Sequence, residues 1–187
     1  AVAPGANANL STGDIKKVKD ITEAKILLMQ LEIPMETISA VIKVAKANNQ
    51  RVILNPAPAQ KLDDELLSGL FLITPNETEA SLLTGIKVEC EATASQAAEV
   101  FLRKGVQNVV ITLGAAGSYI LSDGISKIVP AIPVRAIDTT AAGDVFSGAL
   151  AVAISEGQNI EDAVSFANKA AAISVTRMGA QASVPYR

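Results

Sequence analysis

Short apolar runs alternate along the chain with longer segments in which apolar residues recur every three or four positions. The short runs are typical of buried β-strands. Strands are therefore expected at residues 25–30, 51–55, 70–74 and 108–112, followed by a meander of three strands at 118–121, 125–129 and 134–136.

The longer segments predict helices. In the segment 35–48, four apolar residues fall on one face, namely Ile38, Val41, Ile42 and Ala45. Gly85 is expected to end a helix that starts after Pro75, because glycine readily adopts the left-handed conformation of a helix C-terminus. Further helices are expected at 63–68, 94–104, 142–156 and 160–176.

Repeated strand–helix–strand units with apolar strands imply an α/β fold, a mostly parallel central sheet covered by helices on both faces. No internal repeat, low-complexity segment or linker marks a boundary, so residues 1–187 are expected to form one α/β domain. In sheets of this kind, ligands bind beyond the carboxyl ends of the strands.

The composition excludes several classes of site. The chain has 187 residues, of which 49% are apolar and 19% charged, and no cluster of Lys or Arg interleaves with aromatic residues. This argues against a nucleic-acid surface. Histidine is absent and Cys90 is the only cysteine, which excludes Ser–His or Cys–His catalysis and an intrachain disulfide. Acid–base chemistry therefore falls to carboxylates or lysines.

The sequence also bears on location. No apolar run approaches the roughly 20 residues of a membrane span, and the start of the chain lacks the pattern of a signal peptide. A lone cysteine fits a reducing environment. A cytoplasmic location without a membrane partner is expected. The chain does not begin with methionine, which suggests that a segment precedes it.

The segment DTTAAGD at 138–144 precedes a predicted apolar helix. Small residues and a glycine at a helix start let backbone N–H groups converge on an anion, and the helix dipole adds to the attraction. Asp144 is expected in the first turn of this helix. Two interpretations remain open: a functional anion-binding site, or a carboxylate that only stabilises the helix dipole.

Two further segments also have an ordinary interpretation beside a functional one. TPNETE at 74–79 is typical of a helix start with acidic residues near the dipole. TLGAAG at 112–117 follows a predicted strand, and two glycines there more often mark a turn. Asn168, taken alone, is a polar residue on the surface of the last helix. By themselves, these features do not identify a ligand.

The segment at 138–144 resembles the DTxGAGD signature of the ribokinase family of carbohydrate kinases, with Ala141 where the first glycine of GAGD is common. The resemblance implies that Asp144 is the catalytic base, which takes the proton from the sugar hydroxyl as that oxygen attacks the γ-phosphate of ATP. It also implies that backbone amides around Ala141, Ala142 and Gly143 form the anion hole for the transferred phosphoryl group.

Other segments match the same family in the expected order. TPNETE resembles its TPNExE segment, which implies that Asn76 contacts the nucleotide phosphates and that Glu79 organises Mg²⁺ through water. Asn168 falls where the family places a side chain near adenine. TLGAAG resembles its TLGxxG loop, which implies a nucleotide contact along Thr112, Leu113, Gly114, Ala115, Ala116 and Gly117.

The final stretch implies a monovalent cation site. RMGAQASVP at 177–185 is similar to the family's RxGAQxSxP, beside which a pair of loops binds K⁺ mainly through backbone carbonyls. The implied cofactors are therefore ATP, Mg²⁺ and K⁺. The corresponding residues of this chain are Asp138, Thr140, Ser174, Arg177, Gly179 and Ser183.

Three segments favour ribose as the sugar. VAPGAN at 2–7 resembles a family strand and turn, VxxGAN, and NPAPA at 55–59 matches the segment after its next strand. QLE at 30–32 resembles a segment whose glutamate, here Glu32, reaches the sugar. The resemblance thus implies transfer of the ATP γ-phosphate to the 5-hydroxyl of D-ribose. A kinase for another small sugar or a nucleoside remains an alternative, as does a catalytically silent nucleotide-binding domain.

Family members carry a further long stretch before the segment at 2–7, and nothing in this chain corresponds to it. In the family, that stretch holds the first strands, a lid over the sugar and most sugar-binding groups. We therefore expect this chain alone to turn over sugar poorly, and the full-length form to dimerise through the lid. A Rossmann dehydrogenase and a P-loop enzyme are disfavoured, because neither GxGxxG after the first strand nor GxxxxGK[ST] occurs.

Overall fold

Six strands form one sheet in the computed structural model, which describes residues 5–186. The strands lie side by side in chain order. Strands β1 to β4 pair in parallel, whereas β5 is antiparallel to both β4 and β6. The strands are β1 (Ile26–Met29), β2 (Arg51–Leu54), β3 (Leu72–Ile73), β4 (Asn108–Thr112), β5 (Ser118–Ser122) and β6 (Ile125–Val129).

Helices connect and cover these strands. They are α1 (Thr12–Ile15), α2 (Met35–Ala47), α3 (Asp64–Leu67), α4 (Glu77–Thr84), α5 (Glu91–Arg103), α6 (Ala142–Ser155) and α7 (Ile160–Ser174). Short 3₁₀ turns occur at Gly5–Asn9, Lys19–Thr22, Gly114–Ala116 and Gln181–Ser183. Among residues 5–186, none of the helices has both the length and the apolar character that a membrane crossing requires.

Side chains of the central strands point alternately to the two faces of the sheet, as the pleat of a strand requires. One face joins a core with α2, α3 and α5 through Val52, Leu54, Ile73, Val109 and Ile111. The other face joins a second core with α6 and α7 through Ile53, Leu72, Val110 and Ile120. Helices therefore cover both faces, which confirms the predicted α/β arrangement.

The packing of α6 fixes the position of the segment that precedes it. Leu150 in the middle of this helix is fully buried, and Phe146 one turn earlier is nearly so. Burial of one such side chain contributes about 1.5–3 kcal/mol. Because α6 is fastened to the sheet through these residues, its first turn is held at the carboxyl end of the parallel strands.

The prediction of a strand at 134–136 is wrong. After β6 the chain continues without regular structure through residues 130–136. Pro130 and Pro133 lack the N–H group that a further strand would donate to the sheet. Val134 is 44% exposed, so its apolar character does not reflect burial in the core.

Several predicted boundaries shift by a few residues for local reasons. The strand expected at 70–74 is shorter and comprises only Leu72–Ile73. Pro75, which cannot donate a ladder hydrogen bond, prevents its continuation beyond Thr74. Helix α5 begins three residues early, at Glu91, where the Thr93 hydroxyl accepts from the Cys90 amide at 3.0 Å. Gly85 ends α4 with φ of 75°, as predicted. The opening segment expected at 2–7 lies outside the described residues up to Pro4, and from Gly5 it forms a 3₁₀ turn.

Candidate active site

The carboxyl ends of the parallel strands meet the start of α6 around a cavity of about 230 Å³. Parallel strands present these ends along one edge of the sheet, where ligands of α/β proteins bind. Asn55 follows β2, Thr74 follows β3, and Thr112 ends β4. The full lining is Asn55, Ala57, Thr74, Asn76, Glu79, Thr112, Thr139, Ala141, Ala142, Gly143, Asp144, Phe146 and Ser147.

The turn before α6 leaves several backbone donors uncommitted. Ala141 caps the helix in the left-handed conformation, with φ of 61°, and its carbonyl oxygen accepts from the Val145 amide at 2.9 Å. The Ala142 amide donates to the Thr139 carbonyl oxygen at 3.2 Å. The amides of Ala141, Gly143 and Asp144 donate to none of the described residues. Three N–H groups at a helix N-terminus therefore remain for an anion.

Asp144 lies in the first turn of α6, as predicted, and its carboxylate is exposed. It lines the cavity together with Ala141, Ala142 and Gly143. A Cβ atom added to Gly143 would meet nothing within 4 Å, so the approach to this residue is open. The arrangement combines a proton acceptor with donors for negative charge in one cavity, which suits acyl or phosphoryl transfer.

Asn76 and Glu79 cap the start of α4 reciprocally. The Asn76 amide donates to Glu79 Oε2 at 2.9 Å, and the Glu79 amide donates to Asn76 Oδ1 at 2.8 Å. The remaining polar atoms, Nδ2 of Asn76 and Oε1 of Glu79, are the ones that a ligand in the cavity can meet. Burial raises the pKa of Glu79, against the opposing effect of the hydrogen bonds from Asn76.

Two buried hydroxyl groups form the floor of this cavity. Thr74 Oγ1 lies 3.5 Å from Ser147 Oγ and 3.5 Å from the Leu54 carbonyl oxygen. Ser147 is three residues after Asp144, so this contact joins the second turn of α6 to the residue that follows β3. Neither Ser147 nor Asn55 was predicted to line this cavity. For Asn55, the available signal was its position directly after a predicted strand.

A second cavity of about 610 Å³ adjoins the first. The two share six lining residues, Asn76, Thr112, Thr139, Ala142, Gly143 and Phe146. The larger cavity also includes Gly114, Ala115, Gly117 and Asn168, four residues predicted to lie near a nucleotide. Its remaining wall was not predicted and consists of Glu77, Ser118, Ala131, Ile132, Pro133, Val134, Ala136, Ala171, Ala172 and Val175.

Gly117 is fixed by its surroundings. Its φ of 106° is one that side chains rarely adopt, and an added Cβ atom would overlap the Val129 carbonyl oxygen and the backbone of Pro130 and Ala131. The loop that starts at Gly114 is therefore in close contact with the end of β6. Leu113 and Ala116 line neither cavity. Leu113 packs against the first core. The Ala116 amide donates to the Leu113 carbonyl oxygen at 3.0 Å.

Asn168 is buried rather than exposed on the helix surface, and it lines the larger cavity. Its Oδ1 accepts from the Ser118 hydroxyl at 2.8 Å. Its Nδ2 donates to the Val129 carbonyl oxygen at 3.1 Å and to that of Pro130 at 3.4 Å. The side chain thus joins α7 to the ends of β5 and β6, and its polar atoms are engaged within the protein.

The predicted cation-site residues lie in the segment before α6 and at the end of α7 with the segment that follows it, and a hydrogen bond joins the two segments. Asp138 Oδ1 accepts from the Thr140 amide at 2.9 Å, and Oδ2 accepts from the Gly179 amide at 2.9 Å. A hydrogen bond from the Thr140 side chain, together with these two from the Gly179 and Thr140 amides, lowers the pKa of Asp138 to about 2. The Ser174 carbonyl oxygen accepts from the Arg177 amide at 3.0 Å. The Arg177 guanidinium lies 3.5 Å from the Ser183 carbonyl oxygen.

Glu32 lies at the same edge of the sheet but lines neither cavity. Its Oε2 accepts from Asn7 Nδ2 at 3.1 Å, and both side chains are exposed. The neighbouring Leu31 amide donates to the Ala57 carbonyl oxygen at 2.8 Å. Ala57 lines the smaller cavity. Glu32 is therefore connected to this cavity through its neighbour Leu31 and then Ala57.

Comparisons with known proteins find similarity to ribokinases. A ribokinase of Haemophilus influenzae is 48% identical over 187 residues, which is all of this chain and 61% of that protein. A crystal structure of ribokinase from Thermotoga maritima has a TM-score of 0.85 and 45% identity, and the match covers 99% of this chain and 61% of that one. The Arabidopsis thaliana ribokinase complexed with ribose and ATP has a TM-score of 0.91 at 35% identity, with 99% and 61% covered.

The chain therefore spans about three fifths of the length of the ribokinases it resembles. The family described as pfkB family carbohydrate kinase matches residues 1–187. The match extends over the whole chain, including both cavities and the segment before α6. This chain belongs to the pfkB family of carbohydrate kinases.

Proposed function

We propose that this protein is an ATP-dependent sugar kinase that transfers the γ-phosphate to the 5-hydroxyl of D-ribose. The observation that carries the proposal is the first turn of α6, where Asp144 and uncommitted backbone amides line one cavity. This turn lies where the smaller and larger cavities adjoin. A sugar hydroxyl and a nucleotide phosphate can therefore meet beside a base and an anion-binding helix start.

In the proposed reaction, the Asp144 carboxylate takes the proton of the sugar hydroxyl. The hydroxyl oxygen forms a bond to the γ-phosphorus as the bond from that phosphorus to the β–γ bridging oxygen breaks, and ADP leaves. Negative charge grows on the transferred phosphoryl group and is met by the amides of Ala141, Gly143 and Asp144 and by the dipole of α6. The chain contains no histidine, so its composition offers carboxylates and lysines as bases, and Asp144 is the carboxylate in the first turn of α6.

The larger cavity is the proposed nucleotide site, with its phosphates at the end shared with the smaller cavity. Asn76 lines both cavities, and its Nδ2 is the donor proposed for a phosphate oxygen. Gly114, Ala115 and Gly117 supply a backbone wall, which is held against the end of β6 because Gly117 leaves no room there for a side chain. Asn168 supports this wall through its contact with Ser118 rather than by offering a free polar atom.

Mg²⁺ fits Glu79 in the indirect way that the family resemblance implies. Within residues 5–186, no cluster of three acidic or thiol side chains encloses a metal position. Mg²⁺ usually keeps several waters and is held by one or two carboxylates and substrate phosphates. Glu79 Oε1 would bind such a water, since Oε2 is engaged by Asn76. When bound, the ion supplies charge neutralisation at the phosphates.

K⁺ is proposed between the loops at 138–140 and 174–183. Both carboxylate oxygens of Asp138 accept backbone hydrogen bonds, which hold the two loops together. Carbonyl oxygens of these loops are therefore the proposed ligands, and Asp138 positions them. A cytoplasmic location and a single α/β domain over residues 1–187 remain predictions of the sequence pattern, and a full-length homodimer remains a prediction of the family resemblance.

Ribose is proposed as the sugar because the similar proteins named above are ribokinases and because the smaller cavity has polar groups for a small polyol. Asn55 and Asp144 line it. Glu32 lies outside this lining, where its carboxylate accepts from Asn7. The alternatives are another small sugar or a nucleoside as acceptor, or nucleotide binding without turnover.

The proposal is tested by incubating the chain with ATP, Mg²⁺, K⁺ and ribose and identifying the phosphate ester by mass spectrometry. Long incubation allows for slow turnover. The matched control is 5-deoxyribose, which lacks only the proposed acceptor hydroxyl. The proposal predicts a ribose phosphate and no ester of 5-deoxyribose. Equal phosphorylation of both sugars would contradict transfer to the 5-hydroxyl, and no ester from any sugar would favour the silent domain.

A further inference from the structure

Two hydroxyl groups at the floor of the smaller cavity have no close hydrogen-bond partner among the described residues. Thr74 and Ser147 are both only 4% exposed. Their oxygens lie 3.5 Å apart, and Thr74 Oγ1 lies 3.5 Å from the Leu54 carbonyl oxygen. Hydrogen bonds from a hydroxyl to an oxygen are typically about 2.7–2.8 Å long. Because buried polar groups are nearly always paired, a further polar atom in the cavity is expected to complete these hydroxyls.

A third polar side chain, that of Asn55, lies on the same face of the sheet. Asn55 and Thr74 directly follow Leu54 and Ile73, the last residue pair of β2 and β3. That pair belongs to the first core, so alternation along the strands turns Asn55 and Thr74 to the opposite face, towards α6. Both residues line the smaller cavity with Ser147. The Asn55 side chain forms no hydrogen bond within the described part of the chain, so its amide is free for a ligand.

The charges around the cavity favour an uncharged atom at this floor. Among the described residues, the lining includes the carboxylates of Glu79 and Asp144 and no lysine or arginine. An anion at the floor would therefore meet negative charge without a cation to offset it. The side chains of Asn55, Thr74 and Ser147 can each donate and accept a hydrogen bond. A hydroxyl oxygen, which also donates and accepts, matches all three.

From this arrangement we propose that Asn55, Thr74 and Ser147 form a subsite for one uncharged hydroxyl oxygen, which belongs to a bound water molecule or to the acceptor polyol. The inference rests on the proposed function where the acceptor supplies the oxygen, and is independent of it where water does. A buried water needs about 30 Å³ and two to four polar partners, which the cavity of about 230 Å³ provides. Because Ser147 is three residues from Asp144 on α6, the two side chains are neighbours, and the occupant lies beside the proposed base.

Crystal structures of the chain at high resolution, without ligand and after soaking with ribose, test the inference. We expect an ordered oxygen within about 3.2 Å of both Thr74 Oγ1 and Ser147 Oγ. An oxygen that is unchanged between the two crystals identifies water, whereas an oxygen that is part of the sugar in the soaked crystal identifies the acceptor. Hydroxyl groups that lie about 2.8 Å from each other, and so complete one another, would overturn the inference. A floor without an ordered oxygen in both crystals would overturn it as well.

The variant that combines Thr74→Val with Ser147→Ala removes both hydroxyl groups and should displace the ordered oxygen from the floor. If the acceptor supplies that oxygen, calorimetry should also find ribose affinity lowered by about tenfold, with the affinity for ADP and Mg²⁺ unchanged. Thr37→Val is the control, because Thr37 is a fully buried threonine that donates to the Leu10 carbonyl oxygen at 2.7 Å and lines neither cavity. It should leave the oxygen and both affinities as they are in the parent.

An ordered oxygen and a ribose affinity that both survive removal of the two hydroxyl groups would contradict the subsite. The phosphorylation assay gives a separate answer. A parent chain that forms no ester from ribose would contradict the proposed function, whereas an ordered water at the floor of the ligand-free crystal would still support the subsite.

Discussion

Asn76 and Glu79 exchange two hydrogen bonds at the start of α4, from the Asn76 amide to Glu79 Oε2 at 2.9 Å and from the Glu79 amide to Asn76 Oδ1 at 2.8 Å. The Asn76 side chain therefore has two separable roles. Its Oδ1 caps the helix, while its Nδ2 is the donor that we assign to a nucleotide phosphate. Substitutions that keep one group and remove the other can distinguish these roles.

Asn76→Asp keeps the capping oxygen and replaces the Nδ2 donor with a negatively charged oxygen. We expect stability close to that of the parent and a large loss of affinity for ADP with Mg²⁺, because the new charge repels phosphate. Asn76→Ala should lose affinity and also about 1 kcal/mol of stability, since the cap is removed. Urea denaturation and calorimetry measure the two effects. Unchanged ADP affinity in Asn76→Asp would remove Asn76 from the phosphate site.

Ala141 occupies a backbone conformation that favours glycine, with φ of 61°. The left-handed conformation costs a residue with a side chain about 1–2 kcal/mol, partly offset by the greater freedom that glycine has in the unfolded chain. Ala141→Gly should therefore raise the free energy of unfolding by up to about 1 kcal/mol. The control Ala142→Gly, in the helix itself, should lower it by about 0.5 kcal/mol. Urea denaturation that finds both variants equally destabilised would contradict the strained conformation of Ala141.

Gly117 and Gly114 both have positive φ, but only Gly117 lacks room for a Cβ atom. Gly117→Ala should lose about 1–3 kcal/mol more stability than Gly114→Ala, because the added methyl group displaces the chain after β6. The displacement would also move Ile132 and Val134, so ADP affinity should fall. Thermal unfolding and calorimetry compare the two variants. Equal effects would mean that the close contact at Gly117 does not shape the cavity.

Asp138 predicts a dependence of stability on pH. Hydrogen bonds from the Thr140 hydroxyl, the Gly179 amide and the Thr140 amide lower its pKa from 3.8 to about 2. A carboxyl group with a lowered pKa in the folded state stabilises the fold above its ordinary pKa, and this contribution is lost as the pH falls through the folded value. Asp138→Asn should therefore be less stable than the parent near neutral pH.

The deficit of Asp138→Asn should shrink as the pH falls from 3.8 towards about 2. Urea denaturation at several pH values above and within this interval measures it. Thr140→Ala keeps the carboxylate but removes the hydroxyl donor, so it should lose part of the same pH dependence. A deficit that stays constant with pH would show that the charge of Asp138 does not join the two loops.

Much of the fold could be predicted because each element has a clear pattern. The apolar runs identified β2 and β4, and helical spacing identified α2 to within one residue at its end. The segment after β6 could not be predicted. Its apolar residues, such as Val134, resemble those of a strand, yet they line a cavity and pair with no strand.

The candidate site could be predicted where a motif identified it and not where it depends on contacts between distant residues. The motifs indicated Asp144, Asn76 and Glu79, which do line the same cavity. Sequence gave no sign that the Asn168 side chain would be engaged by Ser118, fifty positions away. The contact between Thr74 and Ser147 was equally hidden, because hydroxyl groups in helices commonly bond within their own turn.

The central claim, that Asp144 is the base of a phosphoryl-transfer site, is tested most directly by Asp144→Asn. The rate of ribose phosphorylation and the affinity for ADP with Mg²⁺ are measured on the same preparations, with Asp123→Asn in the exposed turn between β5 and β6 as the control. We expect Asp144→Asn to lose about 10²–10⁴-fold in rate with ADP affinity near that of the parent, because the base is removed while the backbone amides remain. Rates equal to those of the parent and of Asp123→Asn would contradict the claim.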